Sequence, residues 1–321
     1  MPPMALPAAL AVRLRESHWR FVVTGAGGWA GMATLDLLYA ALGGQASRRV
    51  LAFGSTAREL LLRGGGRVQQ QPLAALAELA SAPTMLLHYA FLTRDRVAGM
   101  SLQEYVAQNR AISEFVERFA RGPGVDAALV LSSGAVYARD GSLERDLQAN
   151  PYGMLKLEDE TRFARWAAER GATLVLPRLF NLSGPYINKL DTYALATLIR
   201  AAQAGEPMRI RAAHAVVRSY TAVEDLLAVS LWRLAQGVRG VVRFDTAGER
   251  EVEIGELALE VKLALGSAVP IERPPLDGAQ VDRYVGDGSA YAELLDQAGI
   301  VPLLLQRQIA RTADDLNQRF P

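Results

Sequence analysis

Thr24-Gly25-Ala26-Gly27-Gly28-Trp29-Ala30-Gly31 follows the apolar run Phe21-Val22-Val23 and opens a helical stretch, Ala30–Leu42, that Gly43 and Gly44 bring to a stop. The glycines have separate jobs. Gly25 permits the tight turn, Gly28 lets backbone approach a pyrophosphate, and Gly31 lets the helix pack close to the strand. The helix start then offers N–H groups and a partial positive charge to phosphates. A bare glycine triplet is weak evidence. As the first strand-to-helix turn of a chain that goes on alternating the two elements, it points to a dinucleotide site.

The alternation is clear as far as Pro177. Strands are expected at Arg20–Thr24, Val50–Phe53, Arg67–Gln70, Thr84–His88, Ala127–Ser132 and Thr173–Pro177. Helices are expected around Ala30–Leu42, Leu73–Ser81, Leu102–Arg121 and Tyr152–Arg170, the third with Leu102, Tyr105, Val106, Ile112, Phe115, Val116 and Phe119 on one stripe. Strand alternating with helix predicts an α/β fold, a doubly wound parallel sheet of the Rossmann type. Beyond Pro177 the rhythm loosens into helices at Asp191–Gln203 and Val223–Ala235 and short strands at Met208–Arg211, Val241–Asp245 and Val269–Glu272. The expected division is a dinucleotide-binding domain over residues 1–178, with 1–19 an N-terminal arm and segments near 214–246 returning to it. A smaller α/β substrate lobe follows over 179–321.

Composition narrows the chemistry. Over 321 residues the formal charge is +1 and half the residues are hydrophobic, so a sizeable core is available and no field marks nucleic acid as a partner. Cysteine is absent, which excludes disulfides and thiolate metal sites and fits a reducing compartment. His18, His88 and His214 alone give a histidine metal site no support, and none is expected. The run Ala5–Val12 has no basic residue before it, and no segment approaches the roughly 18 apolar residues of a membrane helix, so a cytoplasmic location is expected. Leu6–Ser17 reads as an arm or short helix on the body.

Leu131-Ser132-Ser133-Gly134-Ala135-Val136-Tyr137 and Pro151-Tyr152-Gly153-Met154-Leu155-Lys156 complete the pattern. Tyr152 and Lys156 are four apart at a helix start and share a face. A phenol titrates near ~10, and a neighbouring ammonium lowers it by favouring phenolate. With TGxxGxxG ahead of them, these segments resemble the extended short-chain dehydrogenase/reductase group, the NAD(P)-dependent nucleotide-sugar epimerases and dehydratases. The resemblance implies that Ser133, Tyr152 and Lys156 are catalytic. Tyr152 would act as acid/base, Lys156 would also hold the nicotinamide ribose, and Ser133, four residues before Tyr137, would position the substrate oxygen. It further implies cofactor contacts from Gly25, Gly28, Trp29, Gly31, Ala90 and Asn109, the last supporting the active-site backbone. His88-Tyr89-Ala90-Phe91 is similar to the family's His-Leu-Ala-Ala, with Phe91 larger than usual and His88 read as a packed strand residue.

The family often carries Asp-Asn-Leu-Ser-Thr-Gly-Arg after its second strand, and this chain has Ala52-Phe53-Gly54-Ser55-Thr56-Ala57-Arg58. Without the carboxylate, Ser55 and Arg58 are expected to bind a 2′-phosphate, favouring NADP over NAD. Gln69, Gln70 and Gln71 stand where relatives often have an adenine-contacting Asp. Arg178-Leu179-Phe180-Asn181-Leu182-Ser183-Gly184-Pro185 resembles the family's Arg-x-Phe-Asn-x-x-Gly-Pro, and Arg218-Ser219-Tyr220 its Arg-Asp-Tyr. By that resemblance Asn181 reaches the sugar or its phosphate and Arg218 the diphosphate, with Arg273 and Arg283 undecided as a second phosphate arginine.

The substrate implied is a nucleotide-diphosphate sugar. Dehydratases of this group carry Asp-Glu after the catalytic Ser/Thr, and Gly134-Ala135 stand there instead. The leading expectation is therefore an oxidoreductase reducing a 4-keto sugar nucleotide. A 4-epimerase with tightly bound NAD is the alternative, and a non-catalytic dinucleotide sensor a third. A homodimer is expected through Leu102–Arg121 and Tyr152–Arg170, with Phe119, Phe163 and Trp166 supplying apolar surface.

Overall fold

A computed structural model of the chain describes residues 4–93, 99–278 and 280–319. Helix α1 (Ala8–Glu16) lies against α2 (Trp29–Leu42), the helix that follows β1 (Arg20–Thr24) through the glycine turn. Then come α3 (Ala46–Arg49), β2 (Val50–Gly54), β3 (Arg58–Leu61), β4 (Arg67–Pro72) and β5 (Thr84–His88). The series ends with α4 (Leu102–Arg121), β6 (Val125–Val130), β7 (Ser132–Ser133), α5 (Pro151–Arg170) and β8 (Thr173–Leu179).

The main sheet runs, from one edge, strand Gly240–Asp245, then β8, β6, β5, β1, β2, β4 and β3, with β7 beside β8. Its core pairings β4–β2–β1–β5–β6–β8 are parallel. Strand order reverses between β1 and β5, so the glycine turn opens at the switch point where a doubly wound sheet leaves a crevice. The protein is a mixed α/β fold with a Rossmann sheet, and no helix among the described residues is long and apolar enough to cross a membrane.

One local expectation fails, and one strand is additional to those expected. Leu73–Ser81 is not an α-helix but a 3-10 turn over Leu73–Glu78, with Leu79 already extended. β3, which falls between β2 and β4 in the chain, lies outside β4 in the sheet as an antiparallel edge strand in which Arg58 pairs with Gln70. Arg58 is therefore a strand residue, and this places it beside a side chain that sequence spacing alone does not link to it.

On the face covered by α4 and α5, Val116, Ala120, Phe163 and Trp166 pack with Val22, Leu86, Ala128 and Leu174. Phe163 and Trp166 are fully buried there, and the Trp166 indole donates to the Ala120 carbonyl at 2.9 Å. That corrects the expectation that they supply apolar surface for a homodimer; they are core. Phe119 is half-buried, and α4 and α5 are laced together by Arg110–Glu158 and by Arg121 and Arg162 around Glu117.

The chain divides into two units: one runs up to Leu179 and takes in Leu227–Phe244, and the other joins Phe180–Leu226 to the residues from Asp245 on. In the second, Asn181–Ser183 pairs with Tyr220–Ala222, and Ala215–Arg218 lies between Val252–Glu253 and Val281–Tyr284. Helices Ile254–Leu265, Ser289–Gln297 and Leu305–Arg319 add to those expected. Asp225, in the first turn of helix Val223–Ala235, accepts the Leu303 N–H at 2.7 Å.

Burial pushes the Asp225 carboxyl up to about 6 from 3.8, against that hydrogen bond and the nearby Arg311. Between those values the folded chain holds a proton that the unfolded chain has released. Stability therefore falls as pH rises through the window, and the deficit persists above it. Asp225→Asn, still able to accept from Leu303, is expected to flatten the profile and raise the melting temperature at neutral pH. Thermal melts across pH 4–7.5 check this; parallel profiles for the two proteins would refute it.

Candidate functional site

Gly25 has φ +68°, and a Cβ there would sit 2.6 Å from the Ala90 N and the Tyr89 carbonyl carbon. A side chain at Gly31 would collide with the Gly25 and Ala26 carbonyl oxygens. The first and last glycines of the turn thus allow β1, α2 and the end of β5 to meet. Ala90 joins the site through its backbone. No side chain caps α2, and Trp29 is packed in as its first residue. Gly25→Ala is expected to cost about 1–3 kcal/mol from the backbone conformation alone and to abolish dinucleotide binding. A variant that binds NAD with unchanged affinity in calorimetry would show that the turn holds no phosphate.

Asn150 caps α5, accepting the Gly153 N–H at 3.0 Å while its Nδ2 donates to the Ala135 carbonyl at 2.9 Å. Pro151 takes the first helical position, where a missing N–H does no harm. The sequence thereby delivers Tyr152 to the first turn, where the helix dipole favours a negative phenolate. It also ties that turn to the Ser133–Tyr137 segment. Ser132 and Ser133 separate by strand alternation. Ser132 donates to Glu160 at 2.6 Å, whereas the Ser133 hydroxyl accepts the Ala135 N–H at 3.2 Å.

Lys156 is buried and donates to the Leu131 carbonyl at 3.0 Å. Asp159 lies 4.0 Å away, and the Phe91 ring centroid is 3.8 Å from its ammonium. Phe91 also meets the Tyr152 ring edge-on at 5.5 Å, so one aromatic side chain braces both residues. Burial pulls the Lys156 pKa down, with Asp159 and Glu160 opposing. His88 is held neutral by burial, with the Lys156 charge adding, and its pKa falls to about 3. Its ring is hydrogen-bonded to Thr24 at 2.7 Å, a packed strand residue. Asn109 accepts the Leu92 N–H at 2.8 Å and donates to the Tyr105 carbonyl, bracing the backbone after β5.

A family model described as the NAD dependent epimerase/dehydratase family matches residues 21–245. The chain belongs to that family. Among solved structures it is similar to MoeE5 in complex with UDP-glucose and NAD, at 22% identity and TM-score 0.72, covering 94% of this chain and 100% of that one. UDP-N-acetylglucosamine 4-epimerase from Methanobrevibacter ruminantium, in complex with UDP-N-acetylmuramic acid, matches at 18% identity and TM-score 0.72, over 95% and 100%. UDP-glucuronic acid 4-epimerase from Bacillus cereus, with UDP-glucuronic acid and NAD, matches at 17% and 0.68, over 94% and 100%. At these identities the likeness carries the fold. No curated protein sequence matches the chain.

The family's cofactor cradle fits the residues present, since the glycine turn closes on backbone that any Cβ at Gly25 or Gly31 would strike. Ala52 is buried inside β2, which continues to Gly54, and Ser55 and Arg58 are exposed. The Arg58 guanidinium lies on the glycine turn, with Nη2 3.5 Å from the Gly27 carbonyl.

In the second unit Asn181 and Arg218 line one small pocket, with Tyr193, Val216 and Ile254. The Asn181 amide donates to the Tyr284 carbonyl at 3.2 Å. Arg218 uses three of its five N–H donors on the Val217 carbonyl and on Asp282, whose carboxylate lies at 2.8 Å. Arg273 is spent on Glu253 and two carbonyls, and Arg283 on Glu251, so neither lines that pocket. Sequence reasoning missed Asn150 and Glu160. The Asn-Pro pair at a helix start was a usable signal for the first; nothing local marks the second.

Proposed function

We propose that this chain is an NAD-dependent 4-epimerase of a nucleoside-diphosphate sugar, with UDP-sugars as the first substrates to try. The observation that carries the reading is the start of α5. Tyr152 stands in its first turn, and Lys156 one turn on is buried against the Leu131 carbonyl, with Asn150 bonded to the turn after Ser133. Gly25, Gly28 and Gly31 with the start of α2 would hold the pyrophosphate, and Lys156 the nicotinamide ribose. Bound there, the dinucleotide supplies a hydride acceptor and donor.

Tyr152 would take the proton from the C4 hydroxyl and return it after the sugar presents its other face. Lys156 and the helix dipole hold the phenolate ready, and Ser133 positions the oxygen. Asn181 and Arg218 would meet the sugar and diphosphate.

Epimerisation is preferred here to net reduction because the reason for NADP has weakened. Ser55 and Arg58 are both exposed, so a 2′-phosphate would meet them in a screened setting. The UDP-sugar 4-epimerases and NAD complexes among the fold relatives support the same choice. Incubation with NAD and, separately, UDP-glucose, UDP-glucuronic acid and UDP-N-acetylglucosamine should yield a 4-epimer of one of them without net change in absorbance at ~340 nm. Steady NADPH oxidation by a 4-keto sugar nucleotide, with no epimer from any substrate, would restore the reductase reading.

A further inference from the structure

Gln70 is buried on β4, and its Oε1 has no hydrogen-bond partner. A buried acceptor left unmade costs about 1–3 kcal/mol, so its place in the fold asks for a reason. Its side chain fills the space over Gly54 at the end of β2, where any Cβ would overlap the amide. The same oxygen would lie 3.1 Å from a Cβ on Gly27 in the glycine turn, and the Arg58 guanidinium converges on that point. In register, Gln70 is the cross-strand partner of both Ala52 and Arg58. The residue that lacks its carboxylate and the residue with the unmet acceptor are therefore neighbours on adjacent strands.

We infer that Gln70 takes over the task of the missing β2 carboxylate, accepting a hydrogen bond from the adenosine ribose hydroxyl and so selecting NAD over NADP. This rests on the dinucleotide reading above. The orientation of the amide is fixed by its other end, because Nε2 donates to the Thr56 carbonyl at 2.7 Å. Flipping would set Oε1 against that carbonyl oxygen. Gln70 therefore offers the site only an acceptor. A ribose hydroxyl has a proton to give it, whereas a 2′-phosphate has only oxygens and would meet lone pairs. Arg58 is the opposing influence, but it is exposed and its bond to Gly27 is at the limit of length, so it can swing aside.

The test is made on ligand and protein together, by calorimetric titration of the full chain. Wild type is expected to bind NAD about tenfold more tightly than the analogue lacking the 2′-hydroxyl of the adenosine ribose, and more tightly than NADP. Gln70→Met, close in shape and without the acceptor, should erase the difference between NAD and the analogue. Equal affinity of wild type for NAD and the analogue overturns the inference, as does a difference that survives in Gln70→Met. Should the variant not fold, the wild-type pair decides. Wild type that binds none of the three ligands sinks the dinucleotide reading itself, a separate failure.

Discussion

Tyr152→Phe is expected to lose about 10²–10⁴-fold in turnover while binding NAD as wild type does. Only the phenolic oxygen is removed. The ring edge that meets Phe91 remains, and Asn150 and Pro151 still set the helix start. Lys156 keeps its bond to the Leu131 carbonyl, so the ribose contact proposed for it survives. Single-turnover reduction of bound NAD by the nucleotide sugar separates chemistry from binding. A variant that reduces the cofactor at near wild-type rate with unchanged affinity would reject Tyr152 as the acid/base. Loss of NAD affinity in proportion to turnover would instead make the residue part of the cofactor cradle.

Glu160→Ala is expected to destabilise the chain by about 3–5 kcal/mol, because it strips a buried cation of its partner. Glu160 receives Arg178 through two bonds of 2.8 and 2.7 Å, the Ser132 hydroxyl at 2.6 Å and Arg243 at 3.0 Å. Arg178 is itself buried, and its remaining bond at 2.6 Å goes to the Tyr137 hydroxyl. One carboxylate on α5 thereby joins β7, β8, strand Gly240–Asp245 and the turn after Ser133. A melting-temperature loss on the order of 10 °C is the expected reading. A loss within 2 °C would mean that Tyr137 and entering water satisfy Arg178 without the carboxylate. Replacing both partners, Glu160→Leu with Arg178→Met, should cost less than Glu160→Ala alone, since no charge is then left unpaired.

The parts of the site legible in the sequence are those set by neighbours along the chain. The glycine turn, the four-residue step from Tyr152 to Lys156 and the helices at Leu102–Arg121 and Val223–Ala235 all follow from periods of two and 3.6 residues and from glycine's tolerance of positive φ. These were enough for the Rossmann sheet and for membership of the epimerase/dehydratase group. β3, which pairs Arg58 with Gln70, was not among the expected strands, since Arg58-Glu59-Leu60-Leu61 does not alternate apolar with polar residues.

By itself the sequence determined where strands and helices alternate, which turn carries the glycines between the first strand and its helix, and which side chains share the start of α5. It did so because each depends on local backbone sterics. Only the tertiary structure decided which of three adjacent glutamines turns inward, that Phe163 and Trp166 are core rather than surface, and that Arg218 answers to Asp282 across 64 residues of chain. Strand alternation puts Gln70 on the opposite face from Gln69 and Gln71 but cannot say which face is covered. That depends on what packs there, and the partner is supplied by strands and helices distant in the chain, through burial and charge that no local pattern carries.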